Sequence, residues 1–430
     1  RPPFVGAAGR PSGDVEAARR RHVNRSSTLR QPGDGIPIVM EKVDALLECA
    51  VDMGNVAGVV AMVTAPGCEP YAGAYGGSSP GEAATMSTDT IFQVSSMVRP
   101  ILTVAALTLV ESGRLGLDDP LGAVLPGLQA PTRQVRFTPN KRIVSKAVRG
   151  KLTLRTLLNH TSGLADLDCA GALAGSSGRD VPALLFHPGA RWHHGGDLSL
   201  VGAVIERVTG SPVAEYLRTA MFDVLGMHDT GFHVEYGSRH RVAGGWREVA
   251  RGPGESAFYS TPADYFAFVE ALLLRHGSLL SQSSFDLVHL NQIGAMTVPT
   301  VLGLEAVRVP GEINHYPEIQ LYPEVSRKWS LGFMVNDMPV PGGPRAGSLT
   351  CAAPARAYCW IDAASGVAGV LFARRTPTCP DLVDSLFADL QRSVYVSQAV
   401  RLSNESRRRR GVERLFEGWT RDSWSMWWPM

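Results

Sequence analysis

Phe92-Gln93-Val94-Ser95-Ser96-Met97-Val98-Arg99-Pro100-Ile101 is the stretch on which the reading of this chain turns. A short apolar run ends in two hydroxyl residues. A helical pattern then begins, through Leu102, Ala105, Ala106, Leu109 and Val110, and closes at Gly113 after Glu111-Ser112. Apolar residues recurring at spacings of three and four predict a helix buried over most of its surface. Ser96 and Arg99 are three apart and so share a face of its first turn. A hydroxyl at the positive end of a buried helix, one turn from a cation, sits where developing negative charge is favoured. Ser96 is therefore a candidate nucleophile.

Working outward on the N-terminal side, Val39–Val51 predicts an amphipathic helix through Val43, Leu46, Leu47 and Ala50. Val56–Thr64 is β-branched and compact, a central strand, and Tyr71–Tyr75 follows the Pro66-Gly67 turn as its partner. On the C-terminal side, Thr153 is placed as N-cap of a short helix that runs into the turn Asn159–Leu164. Asp166–Arg179 reads as a loop near the cleft, and Leu198–Val208 and Pro212–Val224 as helices. Thr261-Pro262-Ala263-Asp264 opens another, with Thr261 as N-cap and Pro262 at the first helical position. Asn291–Lys328 is irregular, a lid or binding loop. Strands are expected at Trp329–Val335, Ala357–Ile361 and Val367–Ala373, before a last helix from Asp381 to about Val396. Strands at both ends with helices between predict an α/β fold, an antiparallel sheet flanked by helices plus a helical region.

Composition narrows the function. At 44% apolar and 19% charged residues the chain can bury a large core, and its net charge of +2 argues against a dedicated nucleic-acid binder. The cysteines, Cys49, Cys68, Cys169, Cys351, Cys359 and Cys379, form no CxxC pair, so neither a disulfide framework nor a structural zinc site is expected. Gly76-Gly77, Gly195-Gly196 and Gly342-Gly343 lack the spacing of a phosphate cradle, so no cofactor is expected. No apolar stretch reaches membrane-spanning length. Residues 1–37 read as a flexible tail, 38–396 as one domain with a helical insertion, and 397–430 as a basic extension carrying Trp419, Trp424, Trp427 and Trp428. Basic residues beside aromatics suit a nucleic acid or a membrane surface. The plainer expectation is packing on the chain's own body or on a second copy, and so a homo-oligomer. Location stays open, with the cytoplasm favoured.

Four segments, in this order and spacing, resemble the serine β-lactamase and penicillin-binding-protein superfamily in its class C and esterase-like branch. They are Thr90–Met97, Leu115–Pro120, Leu157–Leu164 and Phe222–Phe232, within a resemblance running from about Ile38 to Tyr395. It implies a β-lactamase-like fold with the active-site cleft between sheet and helical region. It also implies a serine nucleophile in a Ser-x-x-Lys motif, onto which Ser96 falls, with Arg99 at the lysine. Arginine stays charged and cannot take the serine proton, but it can clamp an anion or stabilise negative charge. The family's second motif carries a tyrosine after a tryptophan. Here Trp192 fits, and His194 falls on the tyrosine, with His193 its rival one residue away. A Ser96–His194 dyad with Asp197 as orienting carboxylate is then expected. The third motif, Lys-Thr-Gly or Trp-Gly-Gly in the family, falls on Cys351-Ala352-Ala353, where the N–H of Ala353 would complete an oxyanion hole with that of Ser96. Cys351 borders the expected cleft, Tyr259 is placed in the pocket lining, and His160 is read as a structural turn residue.

Scaffold segments thus persist while all the signature motifs depart. The leading expectation is esterase or acyltransferase chemistry through Ser96 on a small metabolite, of the kind found in secondary metabolism, and not β-lactam hydrolysis. One alternative is non-hydrolytic acid–base chemistry, of cyclase or isomerase type, by His194 and Arg99. The other is a catalytically inert binding or scaffold protein.

Overall fold

In the computed structural model, the structure describes residues 38–79, 85–128, 133–137, 143–147, 150–164, 183–194, 197–245, 258–299, 301–302, 319–353, 356–375 and 382–397. All belong to the unit from Ile38 onward. The tail at 1–37, the loop expected at Asp166–Arg179 and the C-terminal extension after Ser397 lie outside them.

The chain begins with helix α1 (Ile38–Asp52) and the paired strands β1 (Val56–Thr64) and β2 (Tyr71–Gly76), as the periodicities predict. β3 (Phe92–Gln93) leads into a 3-10 turn, Ser95–Met97, and helix α2 (Val98–Glu111). Strands β4 (Arg133–Phe137) and β5 (Ile143–Ala147) precede α3 (Leu154–Leu158) and β6 (Ala183–Leu184), and these strands form a small sheet ordered β5-β4-β6. Helices α4 (Asp197–Thr209), α5 (Val213–Leu217) and α6 (Asp223–Leu225) follow. Then come β7 (Tyr259–Ser260), α7 (Pro262–Leu273), α8 (Gln282–His289), β8 (Val301–Leu302) and β9 (Ile319–Gln320). The C-terminal part holds β10 (Arg327–Trp329), β11 (Met334–Asn336), β12 (Leu349–Ala353), β13 (Ala357–Asp362) and β14 (Val367–Arg375), then helix α9 at 382–397.

The main sheet has seven strands in the order β10-β11-β12-β13-β14-β1-β2, antiparallel throughout. Its edge-to-centre order places the first strands of the chain beside the last. Strand alternation sorts side chains onto two faces. One face, with Val60, Met62, Cys359, Val370 and Phe372, belongs to the main core and meets Tyr265 of α7, whose ring lies 5.9 Å from that of Phe372. The other carries Tyr358 and Trp360, whose rings lie 4.8 and 5.7 Å from Phe387 of α9. Helices thus cover both faces, and α2 to α6 extend the core on the first.

Two expected elements are broken. Trp329–Val335 is not one strand: β10 and β11 are joined by a turn at Ser330–Phe333, closed by the Ser330 N–H donating to the Phe333 carbonyl at 2.8 Å. Gly332 there has φ +81°, and a Cβ on it would sit 2.4 Å from Thr103 Oγ1 of α2, so the turn is pressed onto the helix. The helix expected at Pro212–Val224 is interrupted by a π-helical stretch, Arg218–Phe222, between α5 and α6.

Candidate active site

α2 is built as expected. Ile101, Leu102, Val104, Ala105, Ala106, Leu107 and Leu109 are all buried, and so is Arg99, 4% exposed in its first turn. The preceding turn is pinned from outside: Val94 N–H donates to the Phe258 carbonyl at 2.8 Å, and the Tyr265 hydroxyl donates to the Met97 carbonyl at 2.9 Å. Ser95 has φ +42°, a conformation few side-chain-bearing residues adopt, so the backbone just before Ser96 is strained. The Ser96 side chain is buried, 8% exposed, yet its hydroxyl is in no hydrogen bond with a described residue.

Arg99 reaches the turn that follows α3. Thr153 caps α3 with a full capping box, and Leu154, Leu157 and Leu158 anchor it in the core. The turn Asn159–Gly163 is closed by its own polar groups. The Asn159 side-chain oxygen accepts from the Thr161 N–H and hydroxyl at 3.1 and 2.7 Å, and the His160 carbonyl accepts from the His193 N–H at 2.8 Å. His160 takes a left-handed φ of +58°, which turns its ring toward α2. There the Arg99 guanidinium lies 2.9 Å from His160 Nε2. His160 Nδ1 lies 2.9 Å from one oxygen of Asp197, the first residue of α4. The Ser162 hydroxyl donates to the other oxygen of Asp197 and accepts from the Leu164 N–H at 3.0 Å. Arg99, His160, Ser162 and Asp197 are therefore one buried polar chain joining α2, the turn and α4.

Three more rings pack around His160, making a cluster of four. His160 lies 5.1 Å from His194, 6.0 Å from Trp192 and 5.0 Å from Trp329 between centroids, and Trp192 and Trp329 are 5.2 Å apart. Trp329 is brought there by β10: its carbonyl accepts from the Gln292 N–H, and the Gln292 carbonyl in turn accepts from Asn159. Of the four rings only His194 is half-buried; the others are buried. The His193 ring lies 6.1 Å from Phe186 and interacts electrostatically with Asp197, whereas the Arg99 charge acts on His194. His194, not His193, is thus the histidine on the Arg99 side.

Burial, and after it the charge of Arg99, hold His160 and His194 neutral, well below the ordinary histidine range. Burial pushes the Asp197 carboxyl up to about 7, against the opposing pull of the Ser162 hydrogen bond and the Arg99 charge.

The structure redistributes the expected roles. Asp197 lies within hydrogen-bond distance of His160, and among the described residues no such contact joins it to His194. No hydrogen bond joins Ser96 to His194 among the described residues. The Cys351 side chain is 7% exposed in the main core, opposite Cys359 on β13, and both thiols are free. The Tyr259 ring belongs to a small apolar cluster with Ile91, Val234 and Val242, while its main chain pairs with Gln93 and Gly231. Ala353 is fully buried on β12, which packs against the turn that carries Ser96. β11 pairs only with Leu349 and Thr350, so the β12 main chain runs past the end of that neighbour from Cys351 onward. Sequence reasoning offers no site reading for Ser162 or Trp329 and reads His160 as a structural turn residue. The available signal was Arg99 itself, since a guanidinium in a buried first turn must find a buried acceptor.

Among the described residues no cluster of histidine, cysteine and carboxylate side chains is arranged to hold a metal ion. No helix among them is long and apolar enough to cross a membrane.

The sequence profile of the family described as Beta-lactamase matches residues 43–391. The chain is 25% identical over 392 residues to the protein named Lovastatin esterase of Penicillium rubens, covering 82% of this chain and 97% of that one. It is 27% identical over 341 residues to Monacolin J acid methylbutanoyltransferase of Aspergillus terreus, with 69% of this chain and 81% of that one covered. Among solved structures, unliganded Simvastatin Synthase (LovD) from Aspergillus terreus superposes with a TM-score of 0.70 at 22% identity, over 84% of this chain and 98% of that one. The hydrolase EstCE1, described as having promiscuous acyltransferase activity, gives 0.63 at 19% identity, over 83% and 98%. At these identities the structural likenesses speak for the fold.

Proposed function

The chain belongs to the beta-lactamase family, and from that premise we propose that it is an esterase or acyltransferase working through Ser96 on a small ester or thioester of secondary metabolism. The observation that carries this reading is local. A serine hydroxyl follows a strained residue at the head of a buried helix, one turn from a buried guanidinium, and is held by no competing hydrogen bond among the described residues. The relatives named above, an esterase and an acyltransferase, support the reaction class.

In the proposed course, neutral His194 takes the Ser96 proton as Oγ attacks the substrate carbonyl. The tetrahedral oxygen is held by the N–H groups of Ser96 and Ala353, donors that the loss of the family's glycines does not remove. Arg99 adds a fixed positive potential. His194 returns the proton to the departing alcohol or thiol, and water or a second alcohol then takes the acyl group from Ser96. The test is labelling of the folded protein by a fluorophosphonate, with the adduct located by mass spectrometry. An adduct on Ser96, absent from Ser96→Ala and slowed in His194→Ala, is the expected result. A folded wild-type protein that takes no label overturns it.

A second reading has one observation in its favour, the arginine that stands where a basic lysine would activate serine. In that reading His194 and Arg99 act as acid–base and anion-clamp groups without a covalent intermediate. Turnover that survives Ser96→Ala and dies with His194→Ala would select it.

A further inference from the structure

Arginine has only donors, so in the contact between Arg99 and His160 the imidazole Nε2 must present its lone pair. A neutral ring with its lone pair on Nε2 carries its proton on Nδ1, where an oxygen of Asp197 stands ready to accept it. The other Asp197 oxygen is taken by Ser162. With Asp197 ionised, the hydrogen-bond directions are therefore set from Arg99 through His160 and Asp197 to Ser162.

We propose that His160 and Asp197 are positioning residues: Asp197 fixes the Nδ1–H tautomer of His160, and the Nε2 lone pair of His160 fixes the guanidinium of Arg99 beside Ser96. This rests on the reading of Ser96 as nucleophile. An arginine needed only for packing would be held most simply by a direct ion pair with Asp197. The observed arrangement inserts a neutral ring between the two charges. It orients the guanidinium through a hydrogen bond and keeps the opposing carboxylate one imidazole away, so that less of the positive potential near Ser96 is cancelled. Each member is set by a different element: Arg99 by α2, His160 by its left-handed turn, and Asp197 by the start of α4. Among the described residues, the other titratable groups that act on members of the chain are His193 and His194, from the stretch before α4.

The first test needs no turnover. Protein labelled with 15N-histidine, with the His160 signals assigned through His160→Gln, should show Nδ1 protonated and Nε2 unprotonated at about pH 8, where Asp197 is ionised. Asp197→Ala should release that tautomer. A protonated Nε2 in the wild type, or a tautomer indifferent to Asp197→Ala, overturns the proposal whatever the protein's activity. The second test is kinetic. Asp197→Ala should lower kcat by roughly ten- to a hundredfold with KM little changed, because the interaction lost acts on developing charge. Asp197→Asn, whose amide oxygen can still accept from Nδ1, should restore kcat to within a few-fold of wild type. Folded Asp197→Ala with full kcat, or a loss that Asp197→Asn shares equally, would sink the positioning role while leaving the Ser96 reading in place.

Discussion

Position 99 shows how one side chain changes what a site can do. A lysine one turn from a serine can shed its proton and act as a base; an arginine cannot. Arg99 is buried in contact with a neutral imidazole, which suits it to stabilising charge; in the proposed course proton transfer falls to His194. Arg99→Met should therefore lower kcat by about 10²–10³ with KM nearly unchanged, the loss typical of a removed oxyanion donor, as steady-state kinetics on the best ester will read. His194 supplies a pH signature. Its imidazole is held below the ordinary histidine range, so it stays a neutral acceptor on acidification until that lowered pKa is reached. The acid limb of kcat/KM that vanishes in His194→Ala should have its midpoint below 6.5; a midpoint above 7 would mean that another group is the base.

Elements place these residues by pressing on one another at a few points. The β10–β11 turn is one of them. Gly332 is left-handed, lies against Thr103 of α2, and donates its N–H to the Leu158 carbonyl at the end of α3. It thereby ties the strand bearing Trp329 to both helices behind the site. Gly332→Ala adds a Cβ in an unfavourable backbone region and into Thr103. It should cost about 2–4 kcal/mol, measured as a lower urea midpoint with an unchanged slope. A cost below 0.5 kcal/mol, on the order of an ordinary surface change, would show that the turn is free to move away from α2. β12 illustrates how far a strand pattern can be trusted. Its existence and its place against the Ser96 turn follow from the family register. The face on which the Cys351 thiol lies follows from alternation, which puts it with Cys359 and Tyr265 in the core.

At the scale of the whole molecule, the buried titratable groups set the response to acid. His160, His193, His194 and His289 all have lowered pKa values, with burial the first cause, so below about 6.5 the unfolded chain protonates them more readily than the folded one does. Asp197 and Asp264 act in the opposite direction: burial raises them to about 7 and about 6, so the folded state keeps their protons where the unfolded chain has lost them. Among the described residues these histidines outnumber the raised carboxyls. Between about pH 6.5 and 5 the unfolded state thus binds more protons, and stability should fall by about 1–2 kcal/mol per pH unit on acidification. Urea melts across that range would check this. A midpoint that rises toward pH 5 would show that the carboxyls dominate.

The sequence by itself determined the scaffold. The helical spacing after Ser96, the β-branched run at Val56–Thr64, the caps at Thr153 and Thr261, and the order of the four segments are local or nearly local signals, and they suffice for element type and family. Ser96 and Arg99 were legible as a pair for the same reason, since three residues on a helix fix a shared face. What the residues do to one another was decided only in three dimensions. His160 and Asp197 are 37 positions apart and Arg99 and His160 are 61, so no periodicity links them. Only the packing of α2, α3 and α4 makes the turn histidine the acceptor for Arg99, gives Asp197 to His160 instead of His194, and puts Cys351 in the core. Hydrogen-bond partnership depends on distance and direction in the folded chain, and those come from how helices and sheet close on each other.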